Sequence, residues 1–213
     1  MRFVRKLPPT DKELSTHLQK DGWKKIKEPS NIALAIIISL PLAYVLGSIA
    51  IWIAYLLEPS IFAPMVDIIQ GNRELAFSIN INLKLLLYML ATLLFMVVHE
   101  FIHALFIPGV LQSDKTCWGI NGVFAFVSTA EPIKKGRFIV ISIMPFLLMS
   151  VAFPFILRGF GTLNGFMVFL LIINAMGSCV DFLNVILILF QVPNGSIIIN
   201  NGYETYYSQT KSV

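Results

Sequence analysis

Charge is scarce in this chain. Asp, Glu, Lys and Arg make up 13% of 213 residues, whereas 56% are apolar and the mean hydropathy is +0.77. A typical soluble domain carries about 25% charged residues, so this composition excludes a soluble globule and indicates an integral membrane protein. Cysteine is scarcer still. Cys117 and Cys179 are the only two, the first expected in a loop and the second inside a helix, which excludes a disulfide scaffold. Histidine is confined to His17, His99 and His103, and no internal repeat or low-complexity tract is present. The first thirty residues are polar and charged, unlike a cleavable signal peptide, so the first apolar run is expected to act as an uncleaved anchor.

What the chain does have is apolar length. A bilayer-spanning helix takes about 20 residues, and four stretches qualify, roughly 32–57, 83–106, 138–157 and 166–190. Little sequence remains for a separate soluble domain, so residues 1–213 read as one membrane-embedded unit. The expected fold class is all-α integral membrane, with four transmembrane helices and a short β-hairpin-like loop between the second and third. Orientation follows from where the basic residues lie. Arg2, Arg5, Lys6, Lys12, Lys20, Lys24, Lys25 and Lys27 precede the first span, and Lys115, Lys134, Lys135 and Arg137 follow the second. The loop between these spans, 58–82, contains only Arg73. Positive residues favour the cytoplasmic side, which predicts both termini in the cytoplasm and a multi-pass protein of the plasma membrane. Juxtamembrane lysines account for the basic terminus, so the expected partner is the lipid bilayer and no nucleic acid.

Local signals fill in the connections. Thr10-Asp11-Lys12-Glu13 fits a capping box, and Gly22 would end the short helix it opens. Leu14 and Leu18 give that helix a narrow apolar stripe, and His17 reads as a solvated residue on it. Glu28-Pro29-Ser30-Asn31 signals the start of the first span. The loop with Pro59, Pro64 and Gly71 has no readable pattern. Pro108-Gly109 breaks the second span, and Asn121-Gly122 between short apolar and aromatic runs is a hairpin signal. Pro145 and Pro154 loosen the third span where neighbours can satisfy the freed carbonyls. After the fourth, Pro193-Asn194-Gly195 and Asn200-Asn201-Gly202 flank an Ile-rich strand candidate.

The chemistry concentrates at His99-Glu100-Phe101-Ile102-His103, an H-E-x-x-H motif in an apolar run, 85–107, that has no other Asp, Glu, Lys, Arg or His. On a helix its histidines, at i and i+4, share one face and can grip one zinc ion, with Glu100 placed to take a proton from a water that the metal activates. Ionisable groups inside a membrane are expensive and therefore point to function. Catalytic zinc takes three protein ligands. Asp181 is the only carboxylate in the fourth span. The second and fourth spans run in the same direction, and His99 and Asp181 fall at nearly the same depth, which favours Asp181 as the third ligand. Glu131 precedes Pro132 in a loop near Lys134 and reads as solvated; Cys117 has no second cysteine or histidine beside it. Asn174 lies two helical turns before Asp181 on the same face, with Gly177 and Ser178 between them permitting close helix approach. It is a candidate catalytic residue that donates to substrate or a developing oxyanion, or else a polar contact between helices.

This layout resembles the core of site-2-type intramembrane metalloproteases. More closely, it resembles the putative zincin peptidases, small four-span bacterial membrane proteins. Gly22-Trp23, the H-E-x-x-H helix, Arg137-Phe138 leading to Pro145, Gly177-Ser178 followed by Asp181, and the tail with Pro193, Gly202 and Tyr206 carry the likeness. It implies zinc ligation by His99, His103 and Asp181, with Glu100 as general base. The chain departs from the site-2 pattern where Phe182 replaces the usual glycine and where Asn174-Ala175-Met176-Gly177 replaces an asparagine-proline signature. The expected activity is that of a zinc metalloendopeptidase that cuts a polypeptide, such as a membrane protein segment, near the cytoplasmic face. The alternatives are a non-hydrolytic metal transporter or sensor, and a membrane adaptor without catalysis.

Overall fold

Three of the four spans begin where an asparagine can cap them. Asn31 Oδ1 accepts from Leu34 N (2.9 Å), Asn82 Oδ1 from Leu85 N (3.0 Å) and Asn164 Oδ1 from Phe166 N and Met167 N (both 3.1 Å). Each cap satisfies first-turn donors that have no partner inside the helix. The computed structural model describes residues 1–76, 80–121 and 124–209.

From the N-terminus, β1 (Arg2–Phe3), α1 (Lys12–Lys20) and β2 (Lys24–Lys25) precede the first span, α2 (Ile32–Leu57). The short α3 (Ala63–Ile69) leads towards the second span, α4 (Leu83–Phe106). Strands β3 (Thr116–Asn121), β4 (Phe124–Thr129) and β5 (Ile133–Lys134) come next. The third span is composite: α5 (Lys135–Pro145), a π-helical stretch (Phe146–Ala152) and α6 (Phe153–Gly159). The fourth is α7 (Gly165–Gly177) and α8 (Cys179–Gln191), interrupted at Ser178, whose Oγ donates back to the Asn174 carbonyl (2.9 Å). Strands β6 (Ile197–Asn201) and β7 (Glu204–Ser208) complete the described chain.

Among the described residues, four helices are therefore long and apolar enough to cross a membrane, as expected. The all-α expectation is corrected, because the connections form two sheets. One has the order β1-β3-β4, with β1 parallel to β3 and β3 antiparallel to β4. The expected hairpin is present, closing with Asn121 opposite Phe124; its turn, residues 122 and 123, lies outside the described residues. Gly119 lets the N-terminal segment lie on β3, since a Cβ there would collide with the Val4 carbonyl. The second sheet, β2-β7-β6-β5, joins segments from before the first span, before the third and after the fourth. The Ile-rich strand candidate is β6. On α1 the cap is Asp11 rather than Thr10: Asp11 Oδ1 accepts from Glu13 N and Leu14 N, whereas Thr10 Oγ1 accepts from Tyr203 N. Gly22 ends that helix at φ +81°.

Strand pairing thus gathers the N-terminal segment, the loop between the second and third spans and the C-terminal segment at one end of the bundle. Within the bundle, α2 packs on α7 and α8, α5 on α4 and α8, and the π-helical stretch on α7. Leu46, Ala50, Phe146 and Ala175 form a buried cluster among them. Glycine permits the tightest approaches. A Cβ on Gly47 would lie 2.9 Å from Met176 Cγ, and one on Gly177 would lie 3.2 Å from Met96 Cε. Helix α4 is at the rim, touching α5, α7 and β4 while Leu86, Leu90, Leu93 and Leu94 face outward. An apolar exterior of this kind suits lipid, which is as apolar as leucine.

Candidate metal centre

Helical periodicity on α4 puts His99 and His103 one turn apart on one face, with ring centroids 5.0 Å apart. Across from them, α8 supplies Asp181. Its Oδ2 lies 3.4 Å from His99 Nε2 and 3.5 Å from His103 Nε2. A tetrahedral zinc with bonds of about 2.0–2.2 Å holds its ligand atoms about 3.3 Å apart. The three donor atoms lie within 4.8 Å of one another and thus fit one small ion. His99 is buried, while His103 and Asp181 are partly so.

The other nitrogen of each ring is also engaged. His99 Nδ1 lies 2.9 Å from Asn174 Oδ1, and His103 Nδ1 lies 2.8 Å from the Ile141 carbonyl. A carbonyl oxygen can only accept, so each Nδ1 carries the proton and each Nε2 keeps its lone pair for a metal. Such partners hold a ligand ring in orientation.

Asn174 is fully buried, and its amide donates to Ser150 Oγ (2.8 Å) and the Pro145 carbonyl (3.4 Å). With both donors engaged inside the protein and Oδ1 on His99, it stands behind the ligand ring. These hydrogen bonds join α7 to α4 and to the third span.

Glu100, one residue on from His99, faces β4. Its Oε2 accepts from Val127 N at 3.0 Å. Val127 pairs with Trp118, whose own carbonyl turns away to accept from Val4 N (2.9 Å), so the pair is of the non-hydrogen-bonded kind. The backbone groups of Val127 consequently point out of the sheet's open edge, and strand alternation turns those of Ala125 and Thr129 the same way. Phe101 and Phe3 both pack against Trp118, with centroids 5.4 and 5.0 Å apart, fixing α4 and β1 to the hairpin.

The family model described as putative zincin peptidase matches residues 92–197, which contain the paired histidines, the hairpin, Asn174 and Asp181. Over this stretch, just under half of its length, the chain is similar to that family. No curated protein and no solved structure matches it.

Residues weighed as rival ligands lie apart from this three-residue group. The Glu131 carboxylate accepts from Ser113 Oγ (2.7 Å) in the loop beside the hairpin. Cys117 is buried in β3, where burial pushes its thiol pKa up and disfavours the thiolate a metal would need. His17 is exposed on α1. Sequence reasoning singled out Asn174 but assigned no partners to the two Nδ1 atoms or to Glu100. Two of these are backbone groups, which carry no residue-type signature; Pro145, four residues after Ile141, was the one available hint.

Proposed function

We propose that the protein is a zinc-dependent intramembrane metallopeptidase that hydrolyses a peptide bond near the cytoplasmic face. The observation that carries this reading is the convergence of His99 Nε2, His103 Nε2 and Asp181 Oδ2, with Glu100 next to His99 on the same helix and outside the three-residue group. Zinc held there would supply Lewis acidity, polarising a carbonyl and acidifying water. Glu100 is the general base and then the acid, moving a proton to the departing amine. Val127 N–H holds its carboxylate towards the sheet edge. Asn174 and the Ile141 carbonyl keep both imidazoles turned to the metal.

The open edge of β4 would accept an extended polypeptide by strand addition. This suits the reaction, because a peptide bond within a helix must be unwound before water can reach it. The cytoplasmic placement rests on charge: Arg2, Arg5, Lys6 and Lys115 lie at the sheet end, whereas Arg73, Lys84 and Arg158 lie at the other. A transporter would need polar sites along a path. Among the described residues, His99, His103 and Asp181 form the one group able to hold a metal, which favours hydrolysis over carriage.

The test is zinc content of purified wild type, His99→Ala, Asp181→Ala and Glu100→Gln, together with their cleavage of an unstructured reporter polypeptide. The first two variants should lose zinc. Glu100→Gln should keep it and lose at least about 100-fold in rate. Equal zinc in all four proteins would remove the proposed ligands, and full activity in Glu100→Gln would remove the base.

A further inference from the structure

We propose that the proline-centred defect in the third span orients both histidines of the metal centre, with Pro145 and Ser150 as its positioning residues. The inference rests on the zinc reading above and explains how the ligand tautomers are set.

Proline has no N–H, so a helix containing it leaves the carbonyl four residues earlier without its usual partner. For Pro145 that carbonyl belongs to Ile141. The next donor, Phe146 N–H, bonds to the Ile143 carbonyl instead. An unpaired carbonyl is expensive in a membrane interior. His103 Nδ1, at 2.8 Å, fills the vacated position. This contact fixes the proton on Nδ1 and leaves Nε2 to face Asp181 Oδ2. An alanine at 145 would return an N–H to compete for the same oxygen.

Past Pro145 the helix widens into its π-helical stretch, where Phe153 N–H reaches back five residues to the Leu148 carbonyl. Ser150, in the middle of this stretch and 1% exposed, meets α7. Its hydroxyl donates to the Leu171 carbonyl (2.9 Å), so its oxygen is left to accept. The Asn174 amide therefore has to present Nδ2 to Ser150, at 2.8 Å, which turns Oδ1 to His99 Nδ1. The Pro145 carbonyl, the second acceptor for Nδ2, enforces the same orientation. If the amide flipped, it would donate to Nδ1 and move the ring proton to Nε2, the atom that faces Asp181. One local defect thus controls both rings, His103 through a vacated carbonyl and His99 through a two-step hydrogen-bond chain. General helix loosening would not require these particular partners.

The experiment measures zinc affinity by chelator competition, thermal stability of the zinc-free protein, and imidazole tautomers by ¹⁵N NMR. It compares wild type, Pro145→Ala, Ser150→Ala and Ser150→Thr in detergent, with exposed His17 as the internal reference. Pro145→Ala and Ser150→Ala should each weaken zinc binding about 10–100-fold. The first should shift only the His103 tautomer and the second only that of His99. Ser150→Thr, which keeps the hydroxyl, should bind zinc as wild type does. Pro145→Ala should be no less heat-stable than wild type, although its metal binding is worse. Wild-type affinity and tautomers in both alanine variants would overturn the proposal. So would affinity losses that merely track melting temperature and are not rescued by threonine. If wild type takes up no zinc, the metallopeptidase reading falls, and the zinc-free tautomers still decide whether Pro145 and Ser150 set the rings.

Discussion

The two sheets manage their edges in opposite ways. In the four-stranded sheet the outer strands, β2 and β5, are two residues long, and β5 runs directly into α5. Side chains tie this sheet to its surroundings. Asn201 Oδ1 accepts from Asp11 N (3.0 Å), and its Nδ2 donates to the Asp11 carbonyl (2.7 Å) and Ser15 Oγ (3.0 Å). Gln191 and Lys27 exchange a reciprocal pair of bonds at 2.7 and 2.8 Å. Lys135 Nζ caps the end of α8 through the Val192 carbonyl (2.6 Å). Ile26, Ile188, Val192 and Ile198 form the core beneath. In the three-stranded sheet, β1 covers one side of β3, whereas the outer side of β4 meets Glu100. An uncovered strand edge is a template for pairing, and proteins ordinarily blunt it. The outer edge of β4, beside the H-E-x-x-H helix, is the one proposed for strand addition, and this sets it apart from a sheet that clamps the bundle.

Breaking the open edge should have the largest effect. Proline is tolerated on edge strands, so Val127→Pro should fold. It removes the N–H that holds Glu100 and obstructs strand addition, and cleavage of the unstructured reporter should fall about 100-fold with zinc content unchanged. Full activity would make β4 an ordinary surface strand. The clamping sheet should respond in the reverse sense. Asn201→Ala removes the buried amide that joins it to α1 and should lower stability by about 1–3 kcal/mol in a thermal melt. Activity per folded molecule should be unchanged; a selective loss of activity would abolish the distinction between the sheets.

The smallest effect should be electrostatic. Lys25 Nζ lies 2.7 Å from Glu204 Oε1, and Tyr206 Oη and Ser15 Oγ donate to Oε2 at 2.6 and 2.9 Å. The hydrogen bond from Lys25, chief among these, holds the Glu204 pKa below its ordinary value. With the folded pKa below the unfolded value of about 4.3, its stabilisation is complete above that pH and is lost as pH falls through the lowered value. Lys25 is 42% exposed, so solvent screens the pair, and Glu204→Gln should cost less than about 1 kcal/mol at neutral pH. The variant's melting temperature should fall less steeply between pH 5 and 3 than that of wild type. An unchanged slope would show that the pair contributes nothing measurable.

The spans were legible because a bilayer demands long apolar runs, and Asn121-Gly122 signalled the hairpin between α4 and β5, although Asn121 itself ends β3 opposite Phe124. Equal depth on the second and fourth spans favoured Asp181, and its carboxylate lies opposite both histidines. Most of the second sheet was hidden. Lys24–Lys25 and Ile133–Lys134 are too short to show alternation, and their partners lie far along the chain. The interruption at Ser178 was hidden too: it arises from a hydroxyl competing for its own helix's carbonyl, and Gly177-Ser178 reads equally well as a close-packing pair. Asn174 was placed on the right face, but its partners required Ser150 to be turned by a π-helical stretch that no periodicity announces.

The pairing of β2 with β7 has a consequence for how the molecule is made. Lys24 lies opposite Tyr207, so the strand just ahead of the first span has no partner until all four spans have been synthesised. The candidate metal group has the same timing, since His99 and His103 precede Asp181 by most of two spans. Contacts this distant in sequence form late. During translation the nascent protein therefore holds an unclosed clamp and a two-histidine fragment, and the C-terminal third of the chain supplies both missing parts together.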